Sequence, residues 1–189
     1  MIISLGGEMG SGKSTIAQML ADKLGWPRYY MGGLRRAAAQ KRGMTLAEYN
    51  KLGERDINTD KEVDEYQREL GKKEDNFVIE GRTSWFLIPQ SLKIYLEVAP
   101  EEGAKRIFGS LQYENTRNED KYLATWQDVL ASNEERMASD KRRYQKYYNI
   151  DVYDKNNYDF CLDTTNLTPN QVFSKVVKWV EERLDNKKN

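Results

Sequence analysis

The fold of this 189-residue chain is decided by the stretch Gly7-Glu8-Met9-Gly10-Ser11-Gly12-Lys13-Ser14. The stretch matches the pattern G-x-x-x-x-G-K-[ST] at every fixed position, after an apolar run at 2–5 and before an amphipathic run at 13–24. Glycines let such a loop curl so that its backbone N–H groups point at phosphate oxygens, and the following helix adds the positive end of its dipole. We therefore predict a phosphate-binding loop where the first strand meets the first helix.

Two residues of this loop carry side-chain chemistry. Lys13 can reach the β- and γ-phosphates of ATP as a point charge, and the Ser14 hydroxyl can ligate Mg²⁺. ATP and Mg²⁺ are therefore the expected cofactors. The residues predicted to contact the nucleotide are Gly7, Glu8, Met9, Gly10, Ser11, Gly12, Lys13, Ser14 and Thr15.

The motif is shared by GTPases, motor proteins and small-molecule kinases. A GTPase would need an Asn-Lys-x-Asp string for guanine, and the nearest stretch here, Asn186-Lys187-Lys188-Asn189, lacks the aspartate. A motor or helicase would need a longer chain. The class that remains is a kinase that moves the γ-phosphoryl group of ATP to a small bound acceptor.

The composition excludes several other classes of protein. There are 30 Lys+Arg and 30 Asp+Glu residues, so the formal net charge is +0 and broad electrostatic binding to nucleic acid or membranes is disfavoured. The absence of histidine rules out Ser-His, Cys-His and His-metal mechanisms within one chain. The single cysteine, Cys161, rules out an internal disulfide. We expect one domain, 1–189, that is monomeric and cytoplasmic and binds neither nucleic acid nor membranes.

Apolar runs and helix-period patterns alternate along the chain, as is typical of a parallel sheet with helices on both faces. The predicted strands lie at 2–5, 28–30, 77–79, 92–98 and 158–162. The predicted helices occupy 13–24, several pieces of 34–74, a stretch from Pro100, 122–147 and a last stretch after Thr168. Thr45 and Glu48 form a capping-box pattern that would begin one helix. Thr59 and Glu62 form a second such pattern, and 109–121 would be a loop or a helical hairpin tip.

The absence of histidine favours an acceptor that needs no base. A phosphate monoester has a second pKa of about 6, so it is already a dianionic nucleophile at pH 7 and needs only positioning and charge neutralisation. Arg82 and Glu80 follow the strand at 77–79, and the carboxyl ends of parallel strands meet at the ligand crevice. Arg82 would therefore face the acceptor, and Glu80 would hold Mg²⁺ through water. Arg36, in the first insertion, is a further candidate for the acceptor phosphate.

A charged face runs along the predicted long helix. Arg136, Asp140 and Arg143 are spaced i, i+4 and i+7 and therefore share one side of it. Charged faces on long helices are usually solvated ladders of ion pairs, and the spacing alone favours that interpretation.

Five blocks of the sequence together resemble cytidylate kinases of the short archaeal type. They are the loop motif, the stretch from Arg36 to Asn50 with its Arg42-Gly43-Met44-Thr45-Leu46, Glu80-Gly81-Arg82, Lys141 to Asp151, and Tyr158 to Thr164. The resemblance spans nearly the whole chain and is poor at 109–130. It implies an α/β fold of the P-loop NTPase class, with a five-stranded parallel sheet, and the phosphorylation of CMP or dCMP by ATP.

The resemblance also implies how the single P-loop kinase domain is organised. The core would comprise 1–30, 75–108 and 122–189. The insertion at 31–74 would bind the nucleoside monophosphate, and 109–121 would form a lid.

Roles for the acceptor-side residues follow from the same resemblance. Arg36 and Arg82 would hold the monophosphate, with Gly81 and Thr83 beside them. Arg136 would bridge donor and acceptor near the transferring group. Lys13, Arg82 and Arg136 are therefore the expected catalytic residues.

Three further residues take their roles from the resemblance alone. Asp140 would lie near the acceptor ribose, and Arg143 near the base and the phosphate. Arg106 matches an arginine at the start of the lid, on the ATP side, but a second arginine expected soon after it is replaced by Ser110. Either Arg117 or Lys121 would then substitute, or stabilisation on the ATP side would be weaker.

One departure bears on the choice of base. An aspartate that follows the Gly-Arg pair and reads cytosine in bacterial cytidylate kinases is Thr83 here, whose hydroxyl can donate or accept. We therefore expect CMP to be preferred over UMP only modestly, on the order of tenfold to a hundredfold. Stronger discrimination would indicate that the base is read elsewhere, around Asp60 to Gln67.

Two other hypotheses stay open. The acceptor could be UMP, AMP or a small alcohol, and an alcohol would need an aspartate base near its hydroxyl. The chain could also be a non-catalytic nucleotide sensor, for which loss of Lys13 or Arg82 would be the sign, and both residues are present.

Overall fold

A computed structural model describes residues 1–113 and 123–186 of the chain. It contains a five-stranded parallel sheet with the strand order β2-β3-β1-β4-β5. The strands are β1 (Ile2–Gly7), β2 (Arg28–Tyr30), β3 (Phe77–Glu80), β4 (Leu92–Glu97) and β5 (Phe160–Asp163). The predicted α/β fold with a five-stranded parallel sheet is confirmed.

Eight α-helices surround the sheet within the described part of the chain. They are α1 (Lys13–Leu24), α2 (Met31–Lys41), α3 (Leu46–Gly53), α4 (Asn58–Lys73), α5 (Ser84–Leu87), α6 (Pro100–Leu111), α7 (Trp126–Tyr148) and α8 (Pro169–Asn186). A single 3₁₀ turn, Lys155–Asn157, precedes β5. Helices α2, α3 and α4 all lie between β2 and β3 in the sequence, so this long insertion is helical, as predicted.

Both faces of the sheet are covered by apolar side chains. On one face Ile3 and Leu5 of β1 pack with Ile16 of α1 and Val176 of α8. On the other face the sheet packs against α4 and α5. Because β1 is central and buried along its whole length, the loop that follows it emerges from the middle of the sheet edge.

The two capping boxes predicted in the long insertion differ in outcome. Thr45 and Glu48 form the predicted capping box at the start of α3. The second predicted box is wrong, because Thr59 lies inside the first turn of α4 and its hydroxyl donates to the backbone oxygen of Asp56 at 3.0 Å. The Asp56 carboxylate accepts the Asn58 N–H at 2.9 Å, so the aspartate takes the role expected of the threonine.

Two boundaries near the predicted lid also differ. Helix α6 continues to Leu111, into the segment predicted as a loop or hairpin tip. Helix α7 begins only at Trp126, where Thr125 and Asp128 form a capping box that the sequence analysis missed. Arg117 and Lys121, the predicted substitutes for the second lid arginine, lie outside the described residues.

None of the helices within residues 1–113 and 123–186 combines the length and the apolar composition that crossing a bilayer requires.

Candidate active site

The predicted phosphate loop connects β1 to α1 and has the curled backbone expected of it. Gly10 and Gly12 have φ values of 79° and 87°, in the left-handed region that favours glycine. A Cβ on Gly10 would overlap the backbone oxygen of Gly103 in α6. The loop therefore packs against α6 at a distance that leaves no room for a side chain at position 10. The loop therefore needs glycine for two reasons: its backbone dihedral angles and its close packing against α6.

Lys13 is folded across the loop. Its Nζ donates to the backbone oxygen of Glu8 and to the Ser11 hydroxyl, the latter at 3.3 Å. Burial and the nearby positive charge of Arg82 lower the pKa of Lys13 to about 7. A phosphate anion in the loop would offset both effects.

Ser14 and Glu80 are adjacent, although 66 positions separate them in the sequence. The register of the sheet places Glu80 of β3 opposite Leu5 of β1, at the edge where α1 begins. The Ser14 hydroxyl donates to Glu80 Oε2 at 2.7 Å, and Arg28 Nε donates to Oε1 of the same carboxylate at 2.9 Å.

These two oxygen-bearing side chains fit Mg²⁺. The ion prefers oxygen ligands, keeps several waters and usually takes only one or two protein ligands besides phosphates. Among the described residues no group of three or more His, Cys, Asp or Glu side chains could hold a metal on its own. The pair Ser14 and Glu80 is therefore of the kind that completes a magnesium site together with a nucleotide.

The loop opens into one cavity of about 620 Å³. Most of the predicted site residues line it. They are Gly7, Met9, Gly10, Ser11, Gly12, Lys13, Ser14, Thr15, Arg36, Glu80, Gly81, Arg82, Thr83, Arg106 and Arg136. Glu8, Asp140 and Arg143 are the predicted residues that the cavity wall does not include.

Asp140 lies behind Arg82 and is fully buried. It forms ion pairs with Arg82 and with Arg143, and it accepts a hydrogen bond from the Tyr153 hydroxyl at 2.8 Å. Burial alone would raise the pKa of Asp140, but the charges of Arg82 and Arg143 outweigh it and lower the pKa to about 2. The long helix α7 therefore does not carry the solvated ladder that its spacing favoured.

Arg143 connects α7 to the insertion between β2 and β3. Its Nη1 donates to both oxygens of Asp60 in α4, at 3.0 and 3.1 Å. Arg35 of α2 pairs with the same carboxylate. Two arginines from different helices thus share one buried aspartate.

Arg35 is a cavity residue that the sequence analysis missed. Its Nε donates to Asn50 Oδ1 at 2.8 Å, and its Nη2 is buried with no hydrogen-bond partner among the described residues. The neighbouring Arg36 also lines the cavity, where its Nη1 donates to the Tyr30 hydroxyl at 2.5 Å. Two adjacent arginines in the middle of α2 were the signal in the sequence, and the sequence analysis predicted only Arg36 as a site residue.

Asp64 and Gln67 of α4 were also missed as individual site residues. Thr83 donates to Asp64 Oδ1 at 3.0 Å, and Gln67 Nε2 donates to both Thr83 and Asp64 at 3.2 Å. All three line the cavity. Asp60, Asp64 and Gln67 are spaced i, i+4 and i+7, the same spacing that drew attention to α7.

Arg106 of α6 lines the same cavity. Its guanidinium donates to the backbone oxygens of Thr164 and Thr165, both at 2.9 Å, and to Glu102 at 2.9 Å. Ser110, one turn further along α6, also lines the cavity. Arg106 is therefore held in place by the loop after β5.

Comparison with known proteins places the chain in a family. The sequence profile of the cytidylate kinase-like family matches residues 2–166. The chain is 33% identical over 172 residues to a cytidylate kinase of Methanobrevibacter smithii, covering 91% of this chain and 94% of that protein. It is 36% identical over 176 residues to a cytidylate kinase of Natronomonas pharaonis, covering 91% and 85%.

Solved structures show the same fold at low sequence identity. An uncharacterised protein from Eubacterium ventriosum superposes with a TM-score of 0.67 and 17% identity, covering 96% of this chain and 98% of that one. A shikimate kinase from Bacteroides thetaiotaomicron superposes with a TM-score of 0.62 and 16% identity, covering 98% of each chain. Because the sequence profile covers most of the residues, the chain belongs to the cytidylate kinase-like family.

Proposed function

We propose that the protein transfers the γ-phosphoryl group of ATP to CMP or dCMP, giving ADP and CDP or dCDP. The observation that carries this proposal is one cavity that is lined by the phosphate loop, by a cluster of arginines and by the polar side chains of α4 and Thr83. The similarity to proteins named cytidylate kinase supports the choice of acceptor.

The donor would bind at the loop. The backbone N–H groups of 8–14, the positive end of α1 and Lys13 all favour triphosphate oxygens. Arg106 lines the same cavity as the loop and would also contact the nucleotide. Ser14 would hold Mg²⁺ directly and Glu80 through water. When bound, Mg²⁺ supplies positive charge that stabilises the charge developing on the transferring group.

The acceptor phosphate would bind among Arg36, Arg82 and Arg136. Arg35 joins this group, since its buried Nη2 makes no hydrogen bond to another described residue. The acceptor is itself the nucleophile and is dianionic near pH 7, because its second pKa is about 6. These residues therefore need only to orient it in line with the γ-phosphoryl group and to neutralise charge.

Asp140 and Arg143 would act as positioning residues. Asp140 fixes the Arg82 guanidinium, and Arg143 ties α7 to Asp60 in the insertion. Their burial supports this indirect role over direct contact with the ribose or the base, the roles implied by the family resemblance.

The proposal extends to how the molecule closes around its substrates. Helices α2 to α4, in the predicted insertion 31–74, supply acceptor-side residues such as Arg36, so this insertion would bind the monophosphate. The end of α6 and the following segment, the predicted lid 109–121, would cover the donor.

A panel assay tests the proposal. Purified protein is incubated with γ-labelled ATP, Mg²⁺ and one of CMP, dCMP, UMP, AMP or GMP, and the products are separated by thin-layer chromatography. We expect the label to appear in CDP or dCDP. Transfer to none of the five acceptors, or a marked preference for a purine acceptor, would contradict the proposal.

A further inference from the structure

Four side chains form a closed hydrogen-bonded cluster at the acceptor end of the cavity: Asp64 and Gln67 of α4, Thr83 after β3, and Tyr148 of α7. The Tyr148 hydroxyl donates to Asp64 Oδ2 at 2.6 Å. Thr83 and Gln67 both donate to Asp64 Oδ1, at 3.0 and 3.2 Å. Asp64 is 5% exposed, and it lines the cavity together with Thr83 and Gln67.

The direction of every hydrogen bond in this cluster is set. Gln67 uses one amide hydrogen on Asp64 and the other on Thr83, and its oxygen accepts from the Ser84 hydroxyl at 2.6 Å. Thr83 gives its only hydroxyl hydrogen to Asp64. The hydrogens are thus committed inside the cluster, and the groups with remaining capacity are the lone pairs of Asp64 and Thr83.

We infer that Asp64 and Thr83 form a hydrogen-bond-accepting edge that selects nucleobases carrying an exocyclic amino group. Cytosine presents an amino donor at the position where uracil presents a carbonyl acceptor. An accepting edge forms a hydrogen bond with the amino group of cytosine. The carbonyl of uracil would instead face another acceptor with no hydrogen between them, which costs binding free energy. The inference rests on the proposed phosphorylation of a nucleoside monophosphate and names the residues that choose its base.

Protonation of Asp64 reverses the character of this edge. Burial and, to a smaller extent, the neighbouring charge of Asp60 raise the pKa of Asp64 to about 6, against hydrogen bonds from Tyr148 and Thr83 and the charge of Arg35 on α2. The charge of Arg68 on α4 opposes the rise in the pKa of the same Tyr148 hydroxyl. A protonated Asp64 carries a hydrogen that can be donated, so the edge then tolerates a carbonyl. Selection for an amino group is therefore full above about pH 7 and lost as the pH falls through 6.

The first experiment measures kcat/KM for CMP and for UMP with the wild-type protein from about pH 5.5 to pH 8. This parameter reports ionisations of the free enzyme and free substrate. The two acceptor phosphates titrate alike, so their effect cancels in the ratio of CMP to UMP. We expect the ratio to fall about tenfold from the alkaline to the acid end. A ratio that stays constant over this range overturns the inference.

The second experiment repeats the series with Asp64→Asn. The amide supplies a donor at any pH, so the CMP to UMP ratio should fall at least tenfold at pH 8 and lose its pH dependence. Glu65→Gln, on the exposed side of the same helix turn, is the matched control and should behave as wild type. An Asn variant that keeps the full CMP preference also overturns the inference.

The outcomes separate this inference from the proposed function. Transfer to no monophosphate at all would contradict the proposed function. If the protein phosphorylates CMP but its CMP to UMP ratio depends neither on pH nor on residue 64, the proposed function stands and the accepting edge is rejected. If Asp64→Asn fails to fold by circular dichroism, the wild-type pH series alone decides.

Discussion

Lys13 is buried in the phosphate loop, where burial and Arg82 lower its pKa to about 7. Bound triphosphate would raise this pKa again, so binding of ATP should take up a proton. The sign follows directly: ATP affinity is highest below pH 7 and falls as the pH rises above it, by up to about tenfold per unit. Calorimetry at about pH 8 in two buffers of different ionisation enthalpy measures the uptake.

Lys13→Ala provides the matching variant. It should abolish the proton uptake and lower kcat by about a hundredfold or more, because a positive charge on the transferring group is lost. Lys23→Ala, an exposed lysine of the same helix, should change neither quantity. Unaltered turnover in Lys13→Ala would contradict a catalytic role for the loop.

Arg82 is proposed to hold the acceptor phosphate, and it also forms an ion pair with the buried Asp140. Arg82→Ala should raise KM for the acceptor and lower kcat, because a guanidinium fork orients the nucleophile as well as binding it. The variant should also lose about 3 kcal/mol of stability, because the buried Asp140 loses a partner. Urea unfolding measures this loss.

Replacing Asp140 as well separates the two effects. The double variant Arg82→Ala/Asp140→Asn should recover stability but not turnover. Recovery of turnover would place Arg82 in a structural role only.

At this scale the sequence predicts residues whose position follows from a local rule. Arg82 was found because it follows a strand end, and Lys13 because it belongs to a motif. Arg35 and Asp64 were missed as site residues because their importance depends on partners far away in the chain, such as Asp60 for the first and Tyr148 for the second. No local pattern specifies such pairs.

At the scale of elements, α4 and α7 carry equivalent polar faces that meet each other. The face of α7 is buried because Arg143 and Asp140 pair with residues outside their own helix, Asp60 and Arg82 respectively. The i, i+4, i+7 spacing is the same for a solvated face and for a buried one. The sequence therefore predicted that these residues share a side, but could not predict what that side contacts.

Asp64 gives α4 a measurable cost. The pKa of Asp64 in the folded protein is about 6, above its ordinary value of 3.8, so ionisation of this carboxyl opposes folding. The stability that the neutral carboxyl contributes is full near pH 4 and is lost as the pH rises through 6. Asp64→Asn should therefore gain stability at pH 7, by about 3 kcal/mol at most. Urea unfolding at pH 7 and pH 4 tests this, with Glu65→Gln as the control. An equal gain at both pH values would show that the ionisation is not its source.

At the scale of the whole molecule, one cavity joins the phosphate loop to the acceptor end. A single ligand that joins adenosine to cytidine through five phosphates should therefore bind far more tightly than ATP or CMP alone, because the second end binds at a high effective concentration. Thermal unfolding with each ligand at equal concentration measures this through the rise in Tm. A rise no larger than that with ATP would indicate two separate sites.

The sequence predicted the parallel sheet, its five strands and the helices on both faces, because the alternation of strands and helices is a local signal. It did not predict the strand order or the connection between α4 and α7. Those features depend on pairings between distant segments, such as Leu5 with Glu80. The adjacency of Ser14 and Glu80 was predictable, because both residues lie at ends of strands or helices that the rule for parallel sheets brings together.

The contact between Gly10 and Gly103 restricts how the protein can change by mutation. A Cβ on Gly103 would lie 2.5 Å from the backbone oxygen of Met9, in the phosphate loop. Alanine stabilises an isolated helix relative to glycine by about 1 kcal/mol, so Gly103→Ala ought to strengthen α6 and yet displace the loop. We expect this substitution to weaken ATP binding, measured by titration, while the helix content stays the same. In evolutionary terms, α6 can gain no methyl group at position 103 unless the phosphate loop changes with it.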